Sequence, residues 1–147
     1  MERLGGHLAR RCRGGAVIYL RGELGAGKTT LVRGFLRQLG FDGAVKSPTY
    51  TLIEAYELDT LTLYHLDLYR VNDPDELEYV GVRELLIPTS LMLIEWPDYG
   101  KGVIPAADIV VTLTYAGAAR CAEIVATTLV GEQMVDEVMT GHGGVPQ

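Results

Sequence analysis

The segment Gly22-Glu-Leu-Gly-Ala-Gly-Lys-Thr29 constrains this chain more than any other stretch. It fits the pattern G-x-x-x-x-G-K-[ST] at every fixed position. Its flanks fit as well. Ala16-Val-Ile-Tyr-Leu20 is an apolar run of β-formers bounded by glycines, which predicts a buried strand. After the loop, Leu31, Phe35, Leu36 and Leu39 recur at helical spacing, with Arg33 and Arg37 on another face. The pattern predicts a helix from Thr29, stopped at Gly40, where glycine accepts the left-handed C′ conformation. A loop between such a strand and helix aims backbone N–H groups at one point, and only small residues let that backbone come close to an anion. Gly25, Ala26 and Gly27 meet this need, and the helix start near Lys28 adds its positive dipole end. The whole is a cradle for ATP with Mg²⁺. Lys28 reaches the β- and γ-phosphates, the Thr29 hydroxyl ligates Mg²⁺, Thr30 donates to the α-phosphate, and Glu23 and Leu24 fill the variable positions of the loop.

The rest of the chain completes an α/β pattern. Leu4 to Arg11 predicts one or two turns of amphipathic helix, weakened by Gly5 and Gly6. Thr51–Glu57 and Leu61–Tyr69 are strand-like around a short turn at Leu58-Asp59-Thr60. Asp73-Pro-Asp-Glu76 opens a helix running towards Leu86, with Asp73 as cap, Glu76 at the capping-box position and Gly81 as a weak point. Ser90–Ile94 is an apolar strand, Ile109–Tyr115 and Arg120–Thr127 two more around Ala116-Gly117, and Glu132–Met139 a last short helix. The order predicts a P-loop nucleotide-binding fold: a mainly parallel sheet with antiparallel edge strands and helices on both faces. One domain over residues 1–140 is expected, with residues 141–147 as a disordered tail.

Composition narrows the function classes. A net charge of -6 argues against a large independent nucleic-acid surface, though not against one shared with a partner. Apolar runs such as Leu91–Ile94 are too short to span a bilayer, and Met1–Gly15 lacks a secretory apolar core, so the cytoplasm is the default. Cys12 and Cys121 have no metal-ligand spacing and read as two buried, reduced thiols.

A phosphate cradle needs a further acidic contact to Mg²⁺, usually at a strand end. Leu91-Met-Leu-Ile-Glu95 supplies it, with Glu95 as a direct or water-mediated partner of the metal. In Leu63-Tyr-His-Leu-Asp-Leu-Tyr-Arg70 the alternation puts His65 and Asp67 on one strand face. Asp67 either orients the attacking water or binds a metal-bound water. His65 is either a satisfied core histidine or functional, with the core role favoured. Thr49, in Lys46-Ser-Pro-Thr-Tyr-Thr51, falls where nucleotide switch loops sit and is a candidate for Mg²⁺ or the γ-phosphate. Trp96 packs beside the nucleotide or a partner, or else at the edge of the core. Arg70 either stabilises transition-state charge or, preferably, pairs with a nearby carboxylate.

These motifs line up in order: Gly22–Thr30, Ser47-Pro-Thr-Tyr-Thr-Leu52, His65-Leu-Asp-Leu-Tyr-Arg70, Asp73-Pro-Asp-Glu-Leu-Glu78 and Ile94-Glu-Trp-Pro97. In this arrangement the chain resembles the TsaE (YjeE) family of bacterial P-loop ATPases, from about Leu4 to Thr127. The resemblance implies a part in making threonylcarbamoyladenosine in tRNA, with ATP hydrolysis that is feeble alone and raised by the partner proteins TsaD and TsaB. Contact with tRNA is then indirect, through the complex. It also implies that Lys28 holds phosphate, Thr29 and Glu95 serve Mg²⁺, Asp67 serves catalysis, Thr49 lies in a switch-like loop and Trp96 in a Glu-Trp motif. Glu23 stands where the family usually has Asp, and the N-terminus is shorter than usual near the nucleotide base.

Three other readings use the same loop. A small-molecule kinase needs a basic lid, yet Lys101 is the only basic residue between Pro97 and Arg120. A guanine-nucleotide switch needs an Asn-Lys-x-Asp motif, which the sequence lacks. A degenerate loop with a purely structural nucleotide does not need intact Lys28, Thr29 and Glu95.

Overall fold

A computed structural model describes the backbone of residues 1–142 and the side chains of residues 1–135. The chain runs α1 (Glu2–Arg11), β1 (Val17–Gly22), α2 (Lys28–Gln38), β2 (Ile53–Glu57), β3 (Thr62–Asp67), α3 (Asp75–Val80), β4 (Ser90–Glu95), β5 (Ile109–Ala116), β6 (Ala119–Ala126) and α4 (Leu129–His142). Short 3₁₀ turns cover Val82–Leu85 and Pro97–Gly100. Six strands form one sheet in the order β2-β3-β4-β1-β5-β6. The pairs β3–β4, β4–β1 and β1–β5 are parallel. The outer pairs β2–β3 and β5–β6 are antiparallel. This is the mainly parallel sheet with antiparallel edges that the sequence predicts. β4 is buried along its whole length, as a central parallel strand covered on both faces must be.

Strand alternation divides the apolar residues between two cores. Ile18, Leu20, Leu63, Leu91 and Leu93 pack with Leu4 and Leu8 of α1, Leu31 and Phe35 of α2, and Met134 of α4. Val17, Leu66, Met92 and Ile94 pack on the other face with Leu77 of α3, Val82 and Val103. Helices therefore cover both faces.

Several boundaries differ from the sequence reading, each for a local reason. α1 has ten residues and is longer than predicted. Its Gly5, read as a weakness, is a packing requirement. A Cβ there would collide with the Leu31 carbonyl oxygen of α2, and one on Gly34 with the Glu2 carbonyl oxygen. α2 ends as predicted, with Gly40 at φ 94°. The N–H of Gly40 donates to Arg37 O at 3.1 Å and that of Phe41 to Leu36 O at 3.0 Å, the Schellman pattern. The helix after Asp73 is shorter than predicted. Glu76 Oε2 accepts from the Asp73 N–H at 3.4 Å, the returning half of a capping box, while Asp73 Oδ1 accepts from the Asp75 N–H at 3.0 Å instead of the Glu76 N–H. Gly81, at φ 81°, then ends α3, and a 3₁₀ turn replaces its continuation. α4 starts earlier than predicted because the Thr128 hydroxyl accepts the Gly131 N–H at 3.0 Å and donates to Asp108 at 2.6 Å. Of the expected tail, Gly141 and His142 belong to α4, and residues 143–147 lie outside the described residues. Both cysteines are free, but Cys121 is exposed and Cys12 only half-buried, so the reading of two buried thiols is corrected: Cys121 lies on edge strand β6, where alternate residues face solvent.

Candidate functional site

The predicted phosphate loop joins the end of β1 to the start of α2. Gly25 and Gly27 have φ of 79° and 105°, a region side-chain-bearing residues rarely enter. That requirement, and not flexibility, explains glycine at both positions. α2 begins at Lys28, and Leu31 N–H donates to Gly27 O at 2.9 Å. The first-turn N–H groups of a helix have no intrahelical acceptor, so this end of α2 presents donors and a positive dipole end suited to an anion.

Three buried charges meet beside the loop. β3 and β4 are parallel neighbours in a register that sets Asp67 opposite Glu95, at the carboxyl ends of both strands. Asp67, Glu95 and Lys28 are only 6%, 4% and 5% exposed. Charges this dry need partners. The Lys28 ammonium donates to Gly22 O at 2.6 Å, lies 4.0 Å from Glu95 Oε1 and sits 3.8 Å from the Trp96 ring centre. Burial pulls the Lys28 ammonium below its ordinary pKa, while Glu95 and then Asp67 hold it up. Burial pushes the Asp67 carboxyl above its ordinary range. The Tyr69 N–H, donating to Oδ1 at 3.0 Å, and the Thr49 hydroxyl, donating to Oδ2 at 3.3 Å, act the other way, and the Glu95 charge adds to the rise. His65 Nε2 lies 2.6 Å from Glu95 Oε2.

Trp96 has φ 55°, a left-handed conformation uncommon for a large side chain. It turns the chain sharply at the end of β4. The following 3₁₀ turn is tied to β1 by Arg21, whose two terminal nitrogens donate to Asp98 at 2.7 and 2.9 Å. That hydrogen-bonded pair holds the Asp98 carboxyl below its ordinary range. The indole also packs at 5.0 Å from Tyr69 and 6.2 Å from Tyr99. Trp96 is thus a piece of core edge, the second of the two roles posed, and also a wall of the cavity beside the loop. Arg70 stacks on the Tyr50 ring at 4.5 Å, which replaces the carboxylate pairing favoured from the sequence.

Leu24, Gly25, Gly27, Lys28, Thr29, Thr30, Ser47, Thr49, Asp67, Glu95 and Trp96 line one cavity of about 220 Å³. Two residues assigned to the site from the sequence lie elsewhere. Glu23 is exposed and borders the outer grooves beside the loop. Ala26 is fully buried in the core, and its N–H already donates to Glu23 O at 3.0 Å. Its part is the shape of the loop. Sequence reasoning missed Ser47, whose hydroxyl is 2.8 Å from that of Thr49. The shared polar segment was the available signal. It also missed Tyr115 and Arg120, which bond the Leu24 and Gly25 carbonyl oxygens at 3.4 and 3.3 Å from the β5–β6 hairpin. Nothing local marks residues that reach the loop from more than 90 positions away.

Among the described residues no three His, Cys, Asp or Glu side chains form a metal cage. One hydroxyl and two carboxylates beside a phosphate cradle suit Mg²⁺, which takes few protein ligands and shares the rest with phosphate and water. No helix of the described residues is long and apolar enough to cross a membrane.

Known proteins match this arrangement. The family model described as "Threonylcarbamoyl adenosine biosynthesis protein TsaE" matches residues 1–122. The tRNA threonylcarbamoyladenosine biosynthesis protein TsaE of Haemophilus influenzae is 49% identical over 119 residues, 81% of this chain and 75% of that protein. The protein of the same name from Bacillus subtilis is 39% identical over 103 residues, 70% of this chain and 64% of that protein. The crystal structure of YdiB from Bacillus subtilis superposes with a TM-score of 0.79 at 28% identity, covering 95% of this chain and 87% of that one. The match runs through the loop, both carboxylate-bearing strands and Trp96, and the chain belongs to the TsaE family.

Proposed function

We propose that this chain is the Mg²⁺-dependent, ATP-binding and ATP-hydrolysing component of the bacterial machinery that makes tRNA threonylcarbamoyladenosine, acting in the cytoplasm with TsaD and TsaB. The observation that carries this reading is the convergence of Lys28, Asp67 and Glu95 on the glycine loop within one cavity. The first turn of α2 and Lys28 bind the triphosphate, and Thr29 with Glu95 holds the metal. Mg²⁺, when bound, offsets phosphate charge. Asp67 takes up or directs the proton of the attacking water, since a carboxyl pushed up by burial is a better base near neutrality. Thr49 fixes Asp67, and Trp96 covers the Lys28 side of the cavity.

The geometry also supports weak turnover alone. Lys28 is the only cationic side chain lining the cavity among the described residues. Phosphoryl transfer spreads charge over several oxygens, and a second cation supplied in trans raises such rates strongly. A partner seated at the cavity mouth would provide it.

The test is ATP turnover by the purified chain, with and without TsaD and TsaB, with GTP in parallel. Turnover should be slow alone, rise when both partners are present, and vanish in Lys28→Ala. No response to the partners, together with phosphate transfer to a small acceptor, would instead identify a kinase.

A further inference from the structure

We propose that His65 is a positioning residue for Glu95: it holds one carboxylate oxygen so that the other stays committed to the metal and phosphate side of the cavity. The inference rests on the ATPase reading above and extends it to a residue whose role that reading leaves open.

The geometry divides the Glu95 carboxylate in two. Oε2 meets His65 Nε2 at 2.6 Å, while Oε1 faces the Lys28 ammonium at 4.0 Å. His65 is fully buried, and its other ring nitrogen, Nδ1, has no protein partner. A proton on Nδ1 would have no acceptor, so the ring proton belongs on Nε2 and is donated to Glu95. The sheet makes the contact possible. His65 pairs with Leu93 and Asp67 with Glu95 across β3 and β4, so His65 sits diagonally behind Glu95 on the same face. Diagonal neighbours on adjacent strands are within reach of long side chains.

A glutamate has three rotatable side-chain bonds, and ordering it costs free energy. Its position beside buried Lys28 and Asp67 offers two competing orientations, one towards the ammonium with both oxygens and one shared with a metal. A short hydrogen bond from a ring locked in the core removes that freedom before ligand arrives. Carboxylates that bind metals are commonly fixed by such outer hydrogen bonds, whose loss weakens metal binding about 10–100-fold. Asp67 lacks an equivalent donor ring: Tyr69 N–H and Thr49 fix it instead.

The experiment measures Mn²⁺ affinity of the full-length chain in its nucleotide complex by electron paramagnetic resonance, alongside metal-free nucleotide affinity in EDTA. The decisive pair is His65→Gln and His65→Asn. Glutamine can place an amide nitrogen near the Nε2 position, whereas asparagine reaches only the Nδ1 position. His65→Asn should weaken Mn²⁺ about 10–100-fold, with metal-free nucleotide affinity unchanged, and His65→Gln should restore most of it. Equal Mn²⁺ affinity in the wild type and both variants would overturn the proposal. So would equal losses in both, which would mark a packing role. If the wild type itself showed no metal-dependent nucleotide binding, the ATPase reading would fail first, and the two failures are told apart by that control.

Discussion

Asp67 is where burial and chemistry pull against each other. Its carboxyl is pushed above the ordinary range chiefly by burial. A carboxyl raised in the folded state binds its proton more tightly there than in the unfolded chain. Stability from this group therefore falls as pH rises from the unfolded pKa through the folded one. Once ionised, Asp67 is a net cost to the fold, which its proposed role as a base would account for. Asp67→Asn keeps an oxygen for the Tyr69 N–H and removes the charge. It should raise the melting temperature at neutral pH, and the gain should shrink to nothing below the ordinary carboxylate range, while nucleotide still binds and partner-stimulated turnover is lost. Thermal melts from pH 3 to 8 check this, and a gain that instead grew towards acid pH would contradict the assignment of burial as the main cause. The charge at this position was legible in the sequence because an acid in so apolar a strand requires a reason. The direction of its shift was not, because it depends chiefly on how deeply the fold buries the carboxyl, with Glu95 and Thr49 arriving from other elements.

At the level of elements, the contact between α1 and α2 turns on two glycines that make opposite demands to a third. In an ordinary helix interior, replacing glycine with alanine gains about 1 kcal/mol. At Gly5 and Gly34 the new Cβ would strike backbone atoms of the facing helix, which cannot step aside as a side chain can. At Gly6 the nearest atom is 3.7 Å away, ordinary van der Waals contact. Gly34→Ala should therefore destabilise the protein by roughly 1–3 kcal/mol, the usual cost of overpacking, whereas Gly6→Ala should be neutral or stabilising. Chemical denaturation of both variants decides it, and two shifts of the same sign would refute the close-approach account. This is also where sequence reading reached its limit. Elements governed by their own residues were legible: the β1–loop–α2 unit, the Gly40 stop, the Asp73 cap and the antiparallel edge pairs. α1 was under-read because glycine propensity is a local quantity, and the reward for Gly5 lies on another helix. α4 was cut short because its start depends on Thr128 bonding to Asp108, twenty positions earlier.

Parts of the chain distant in sequence converge on the loop. Met1 lies where a Cβ on Gly27 would touch it, 3.0 Å from its Cγ. Tyr115 and Arg120 hold the loop from the β5–β6 hairpin, and Trp96 meets Lys28 from the end of β4. A ligand seated in this loop therefore bears on both cores, not on a peripheral flap, and its binding should appear as global stability. A ligand that binds only the folded state adds about 2.7 kcal/mol at a hundred times its dissociation constant. For a chain of this size each kcal/mol moves the melting temperature by roughly 2–4 °C. Saturating Mg·ATP should then raise the melting temperature by about 5–10 °C, with the whole transition moving as one. Lys28→Ala should melt without that shift at the same nucleotide concentration. Arg120→Ala, which removes a bond to the Gly25 carbonyl but no residue that lines the cavity, should keep a shift but need more nucleotide to reach it. Calorimetric scans at several nucleotide concentrations separate these cases: a split transition, with only one part responding to Mg·ATP, would show that the loop is energetically detached from the sheet that carries it.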